Sequence, residues 1–264
     1  MRIISIVPSF TEIIFSLGLG ASLAGVTEHC DYPPETRKID KVGTFAFPEV
    51  EKIISMRPDL VCADPLLHKN YVEKLTARGI EVYAPFMYKV DDLLNSMEYL
   101  GDLCNQKETA VRLVTLLKER LKNIRVKTTG KYRPRVFRIM SDDPVITPGP
   151  LSLQYDAIRL AGGALIPLEN KAYVEVPWTD LANFDPQILL LCGRREGEPK
   201  RPRCKGCVSR NPMCRRQVED IITGRWTEIT AVKNDNIFTL SCHMLCRPGV
   251  RLIDGIERLN EYFM

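Results

Sequence analysis

The sequence predicts an α/β protein of two mixed lobes with mainly parallel sheets, joined by one long helix. Three observations predict it. Short apolar runs alternate with amphipathic stretches through the first hundred residues or so, as βα units around a parallel sheet do. A second alternating set begins after "TTGKYRP". Between the two sets, Ala110, Leu113, Val114, Leu117, Leu121 and Ile124 keep the three- and four-residue spacing of a single stripe along a helix. The boundaries that follow are an N-terminal lobe over 1–104, a connecting helix over 105–127 and a C-terminal lobe over 128–264.

The elements follow in order. "RIISIV" reads as a strand, and "SFTEIIFSLGLG" as a helix opened by a capping box, Ser9 at the cap and Glu12 three residues on. "PEVEKIISMRPDLVCA" repeats the unit, with Pro48 at a helix start and a strand ending at Cys62, and "YVEKLTARGIEVYAP" repeats it again. In the second lobe come strand "RVFRIM", turn "TPGP", helix "LSLQYDAIRLAGG", helix "WTDLANF" and strand "QILLLC". Strand "NIFTL" and a terminal helix from about 248 close the chain.

The 264 residues, 45% of them hydrophobic, suffice for a real core and argue against disorder. No run approaches the roughly 18 apolar residues of a membrane helix, so no membrane insertion is expected. "MRIISIVPSF" lacks the basic region and cleavage site of an export signal, which predicts a cytoplasmic protein. Nine cysteines in a reducing compartment point to metals, redox work or catalysis more than to disulfides. The net charge of +4 is unevenly placed: residues 194–216 hold nine basic side chains against two acidic ones, a local +7.

"RIISIVPSFTEIIFSLGLG", "GVTEHCDYPPE" and "KVGTFAFPEVEKIISMRPDLV" in the first lobe, with "WTDLANFDPQILLL", "AVKNDNIFTL" and "RPGVRLIDGIERL" in the second, resemble the cobalamin- and siderophore-type substrate-binding proteins of ABC transporters. The resemblance covers most of the chain. It implies a rigid interlobe helix and a ligand cleft between the lobes, in line with the rule that open α/β sheets bind ligands beyond the carboxyl ends of their strands. It also implies an aromatic wall for a large planar ligand at Tyr32, Phe45, Phe47 and Trp178, although Trp178 follows Pro177 and begins an amphipathic helix, so it reads equally as a core residue. Three features depart from the family pattern: no export signal is read, Lys69 stands where a transporter-docking glutamate is expected, and a basic, cysteine-rich insert occupies about 193–216.

That insert is too long and too polar to order itself as a loop. Cys204 and Cys207 form a CxxC, Cys214 follows, and Cys192 ends the preceding strand; four thiolates suit a four-iron cluster or zinc, and would lend the loop folding energy. The expectation is a 4Fe–4S cluster, with zinc or a metal-free thiol role as alternatives, and nearby cations offsetting the cluster's charge. Cys30, Cys62, Cys242 and Cys246 fall at strand ends or a helix start and could hold a second cluster bridging the lobes. Each also reads as a small buried hydrophobe. Cys104 reads as a buried structural thiol, His29 and His243 as surface residues or metal ligands, and His68 as a loop residue.

Pro8, Ser9 and Phe10 form the first strand-to-helix turn, where helix amides face the cleft, and Arg247 opens the last helix. No catalytic triad, phosphate-cradling loop or paired carboxylates appear. Nucleic acid is disfavoured because no aromatic interleaves with the basic charges. The expected function is a cytoplasmic corrinoid, tetrapyrrole or metal-chelate binding protein with an iron–sulfur cluster, acting as cofactor carrier or with a redox partner protein. The alternatives are the solute-binding component of a cobalamin or siderophore ABC transporter, and a reductase acting on a cleft-bound cofactor.

Overall fold

The structure, a computed structural model, describes residues 1–192 and 216–264, and of Cys242 the backbone only. Cys204, Cys207 and Cys214 therefore lie outside the described residues. Among those described, no helix is long and apolar enough to cross a membrane.

Five strands alternate with helices in the first lobe: β1 (Ile3–Ser5), α1 (Pro8–Ser16), β2 (Leu23–Val26), β3 (Asp40–Lys41), α2 (Val50–Ser55), β4 (Leu60–Cys62), α3 (Lys69–Thr76) and β5 (Glu81–Tyr83). They pair in parallel in the order β3-β2-β1-β4-β5. β1 and β4 are buried along their whole length, which is why they read as unbroken apolar runs and not as alternating ones. The order turns back at one place. After β1 the chain goes to one side, through β2 and β3; it returns to the other side of β1 with β4 and β5. The crevice at such a reversal, beyond the strand carboxyl ends, is where open α/β sheets bind ligands.

Two antiparallel helices, α4 (Val90–Leu103) and α5 (Lys107–Thr128), lead to the second lobe. The helical stripe read from the sequence is present in α5, with Ala110, Val114, Leu117 and Ile124 buried. The helices touch at Gly101, where an added Cβ would collide with the Ala110 side chain and lie 3.2 Å from the Gln106 carbonyl.

The second lobe comprises β6 (Arg135–Arg138), β7 (Ser141–Asp142), β8 (Val145–Pro148), α6 (Leu153–Leu160), β9 (Ala164–Leu165), β10 (Tyr173–Glu175), α7 (Trp178–Phe184), β11 (Ile188–Leu191), α8 (Val218–Ile221), α9 (Thr230–Lys233), β12 (Ile237–Thr239), α10 (Cys242–Leu245) and α11 (Arg251–Phe263). Its main sheet, β12-β11-β6-β9, is parallel and also reverses once, between β6 and β11. "TPGP" is not a free turn: Thr147 and Pro148 end β8, which joins β7 and β10 in a small antiparallel sheet. Strands of two to four residues leave too little period for the sequence to announce them.

Long-range contacts tie the lobes together. The Asp156 carboxylate of α6 accepts the Val90 amide at the start of α4 at 2.9 Å, satisfying a donor that the helix itself cannot pair. Arg120 of α5 holds Glu257 of α11 with two hydrogen bonds and reaches Asp254 at 2.6 Å. The core of the first lobe continues into α6 and α11, while a second apolar cluster, including Trp226 and Leu181, lies on the far face of the second sheet.

Gly101→Val is expected to lower unfolding stability by about 1–3 kcal/mol through overpacking of the α4–α5 contact, read as a lower urea midpoint at unchanged slope.

Candidate functional site

The first reversal point supplies most of the site. Val7, Pro8, Ser9 and Phe10 come from the β1–α1 turn, Ala63, Asp64 and Pro65 from the loop after β4, and Cys246, Arg247 and Pro248 close the space from the second lobe. The cleft measures about 680 Å³, includes space open to solvent and also takes in His29, Phe45 and Met87. That size and mostly apolar lining suit a small-molecule ligand.

α1 begins differently from the capping box expected. Val7 is its N-cap and has no polar side-chain atom to cap with, and Pro8 occupies the first turn, where its missing N–H costs nothing. Ser9 lies inside the helix and is 1% exposed, and its hydroxyl has no hydrogen-bond partner. The Ser9 and Phe10 amides lie in the first turn, where helix amides have no intrahelical acceptor. A buried hydroxyl without a partner at a helix N-terminus is a place prepared for an acceptor group from outside the chain.

Glu12 does not reach back to its own helix. Its carboxylate, 3% exposed, takes a two-pronged grip from Arg251 of α11, Nε to Oε2 at 2.8 Å and Nη2 to Oε1 at 2.5 Å, with Arg247 at 3.7 Å. Arg247 also donates to Asp31 Oδ1 at 2.7 Å. Burial pushes the Asp31 carboxyl up, but the hydrogen bond and charge of Arg247 outweigh it and hold the group below its ordinary value. Tyr32 lies under the Arg251 guanidinium, 4.2 Å from its ring centre. It therefore supports the interlobe contact and does not line the cleft.

Two histidines hold the Phe45 wall. His29 Nδ1 accepts the Phe45 amide at 3.1 Å, and His68 Nε2 meets the Phe45 carbonyl at 2.6 Å. His68 Nδ1 accepts the Asp64 amide at 3.0 Å, so the proton of the neutral ring sits on Nε2 and is donated to Phe45. His68 sits, as expected, in the loop between β4 and α3, where it is the residue before the helix, and it is fully buried there; burial holds it below its ordinary pKa. The same bookkeeping puts the proton of neutral His29 on Nε2, so that nitrogen offers no lone pair to a metal. His243 pairs with Ser241 at 3.0 Å, and burial, followed by repulsion from Arg251 and Arg247, lowers its pKa.

Of the expected ligand residues, Pro8, Ser9, Phe10, Phe45 and Arg247 line the cleft. Phe47 is 71% exposed and does not line it. Trp178 belongs to the second lobe's far cluster, edge-on to Trp226 at 5.1 Å with Arg225 over its ring at 4.4 Å. Its ring packs, partly buried, against the edge of that cluster.

Of the two expected quartets, Cys204, Cys207, Cys214 and the Cys242 side chain lie outside the described residues, and the structure places the other members. Cys30 is buried against Thr11 at 3.0 Å and Thr27 at 3.3 Å, and Cys62 is fully buried at the end of β4; burial pushes both thiols up. These two belong to the first lobe's core. Cys246 instead lies 3.9 Å from Cys192, across the two expected groupings. Cys104 is buried at the end of α4. Among the described residues no group of three or more His, Cys, Asp or Glu could hold a metal ion. Arg138, fully buried at the end of β6, was missed by the sequence reading, although an arginine closing an apolar strand is a signal for it.

Arg251→Met would leave Glu12 buried without its two-pronged partner and is expected to cost about 3–5 kcal/mol in denaturant unfolding. A depressed carboxyl adds stability above its unfolded pKa and loses it as pH falls through the folded pKa. Asp31→Asn should therefore flatten the fall in stability seen on acidification below about pH 4.

Sequence comparisons agree with this geometry. The chain is 26% identical over 264 residues to a vitamin B12-binding protein of Vibrio cholerae serotype O1, covering 99% of this chain and 88% of the relative. It is 28% identical over 268 residues to an uncharacterized ABC transporter substrate-binding lipoprotein of Bacillus subtilis, covering 98% and 79%. The crystal structure of the periplasmic vitamin B12 binding protein of Vibrio cholerae superposes with a TM-score of 0.79 at 25% identity, over 99% of this chain and 96% of that one. The periplasmic heme-binding protein of Roseiflexus sp. RS-1 shares the fold, with a TM-score of 0.78 at 19% identity over 99% and 98%. The periplasmic binding protein family matches residues 3–242, nearly the whole chain, and the chain belongs to that family.

Proposed function

We propose that this protein is a substrate-binding protein of the ABC-transporter type whose ligand is a large planar metal macrocycle of the corrinoid or heme class. One observation carries the reading. The cleft at the first sheet reversal combines an apolar wall, Phe10, Phe45 and Met87, with a buried unpartnered Ser9 hydroxyl at the N-terminus of α1. The apolar side chains remove the ligand's faces from water, which supplies most of the binding energy. Ser9 and the first-turn amides would take a polar edge group such as a carboxylate, phosphate or amide oxygen, and Arg247 would add charge at the opposite rim. Relatives that match nearly the whole chain are named for vitamin B12, and fold neighbours for heme.

Titration with cyanocobalamin and, separately, with hemin tests this reading through the ligand's visible absorbance. One of the two is expected to bind saturably at micromolar or lower concentration, and no saturable change with either up to about 100 μM would refute it. Ser9→Ala is expected to weaken the bound ligand about three- to tenfold, the worth of one hydrogen bond. Phe45→Ala should weaken it by about tenfold or more through lost ring contact.

A further inference from the structure

The second sheet reverses between β6 and β11, and that point carries a side-chain cluster the ligand reading does not use. Arg138 ends β6, Cys192 follows β11, and Cys246 comes from the loop between α10 and α11. The two sulfurs are 3.9 Å apart, in van der Waals contact. Arg138 Nη2 donates to Cys192 Sγ at 2.8 Å and to Cys246 Sγ at 3.2 Å, while its Nε is held by Gln154 Oε1 at 2.6 Å. A neutral amide thus fixes one edge of a fully buried guanidinium, and its other edge faces two thiols.

Hydrogen bonds from a cation favour the thiolate, which is the nucleophile in thiol–disulfide exchange. Cys246 is partly exposed and lines the ligand cleft, whereas Cys192 is 8% exposed. We infer that Cys192 and Cys246 are a redox-active dithiol at the cleft, closed to a disulfide by exchange with a low-molecular-weight disulfide. The Cys246 thiolate attacks one sulfur of the small disulfide RSSR, forming Cys246–S–S–R and releasing RS⁻. Cys192 then loses its proton and attacks the Cys246 sulfur, forming the Cys192–Cys246 bond and releasing the second RS⁻. Two electrons pass from the protein to the small molecule, which leaves as two thiols. Arg138 acts as a positioning residue for both sulfurs.

Ring closure also reaches the ligand cleft. Cys246 adjoins Arg247, whose guanidinium meets Asp31 and Glu12 of the first lobe. Drawing Cys246 toward Cys192 from 3.9 Å to bonding distance displaces the loop that carries Arg247 and its contacts with the first lobe. Ligand binding is then expected to weaken about tenfold in the oxidised protein, a typical coupling between two sites.

The test is peptide mapping of the whole wild-type protein after exposure to oxidised glutathione and trapping of the remaining thiols. A Cys192–Cys246 linked peptide as the main product is expected, absent from Cys192→Ser. Three results would overturn the assignment: linkage of either residue to one of the other seven cysteines as the main product, glutathione retained on Cys246 without ring closure, or both thiols shielded by a bound metal until a chelator removes it. The pH profile of Cys246 alkylation separates activation from support. Its midpoint is expected to rise in Arg138→Gln relative to the wild type, because the cation that donates to Cys246 is lost; an unmoved midpoint removes Arg138 from the mechanism. Cyanocobalamin affinity of the oxidised and reduced forms reads the coupling. That arm rests on the ligand reading above, whereas the peptide map does not, so the two fail separately.

Discussion

A carboxylate from the first helix, buried between two arginines near the start of the last, joins the two ends of the chain and sets how the lobes face each other. Removing Glu12, Arg247 and Arg251 from water is costly, and the cost is met only because the Arg251 fork matches the carboxylate and Tyr32 stacks beneath it. The contact therefore demands one geometry. It places the loop bearing Cys246, Arg247 and Pro248 against the turn bearing Ser9, and this juxtaposition is what makes a cleft out of two separate sheets. The α5–α11 bridge of Arg120 with Asp254 and Glu257 supports the same arrangement from the outer side.

Each lobe contributes the same topological feature, a parallel sheet whose order reverses once, and the two reversals carry different chemistry. In the first lobe a helix N-terminus and an apolar wall suit a ligand. The second gathers a guanidinium and two thiols. Both follow from strand ends that leave side chains and amides without neighbours in the sheet. The wall itself depends on the tautomers of two histidines. With their Nδ1 atoms committed to backbone amides, His29 and His68 brace the Phe45 loop and are thereby withdrawn from metal chemistry.

The sequence by itself determined the alternation of strands and helices, the long α5 stripe and the resemblance of its segments to the periplasmic binding protein family, because hydrophobic period and turn residues are local properties. It also pointed to Pro8, Ser9 and Phe10 at the first strand-to-helix turn and to Arg247 near the start of the last helix, and the resemblance implied Phe45; all five line the cleft. Tertiary structure decided the rest. Glu12 has the spacing of a capping residue, yet its partner lies 239 positions away. Trp178 opens an amphipathic helix and packs, partly buried, against the far cluster and not in the cleft, a choice of face for α7 that no local pattern encodes. Cys192 and Cys246 come together from separate groupings since sulfur proximity depends on strand order, which spacing along the chain does not encode.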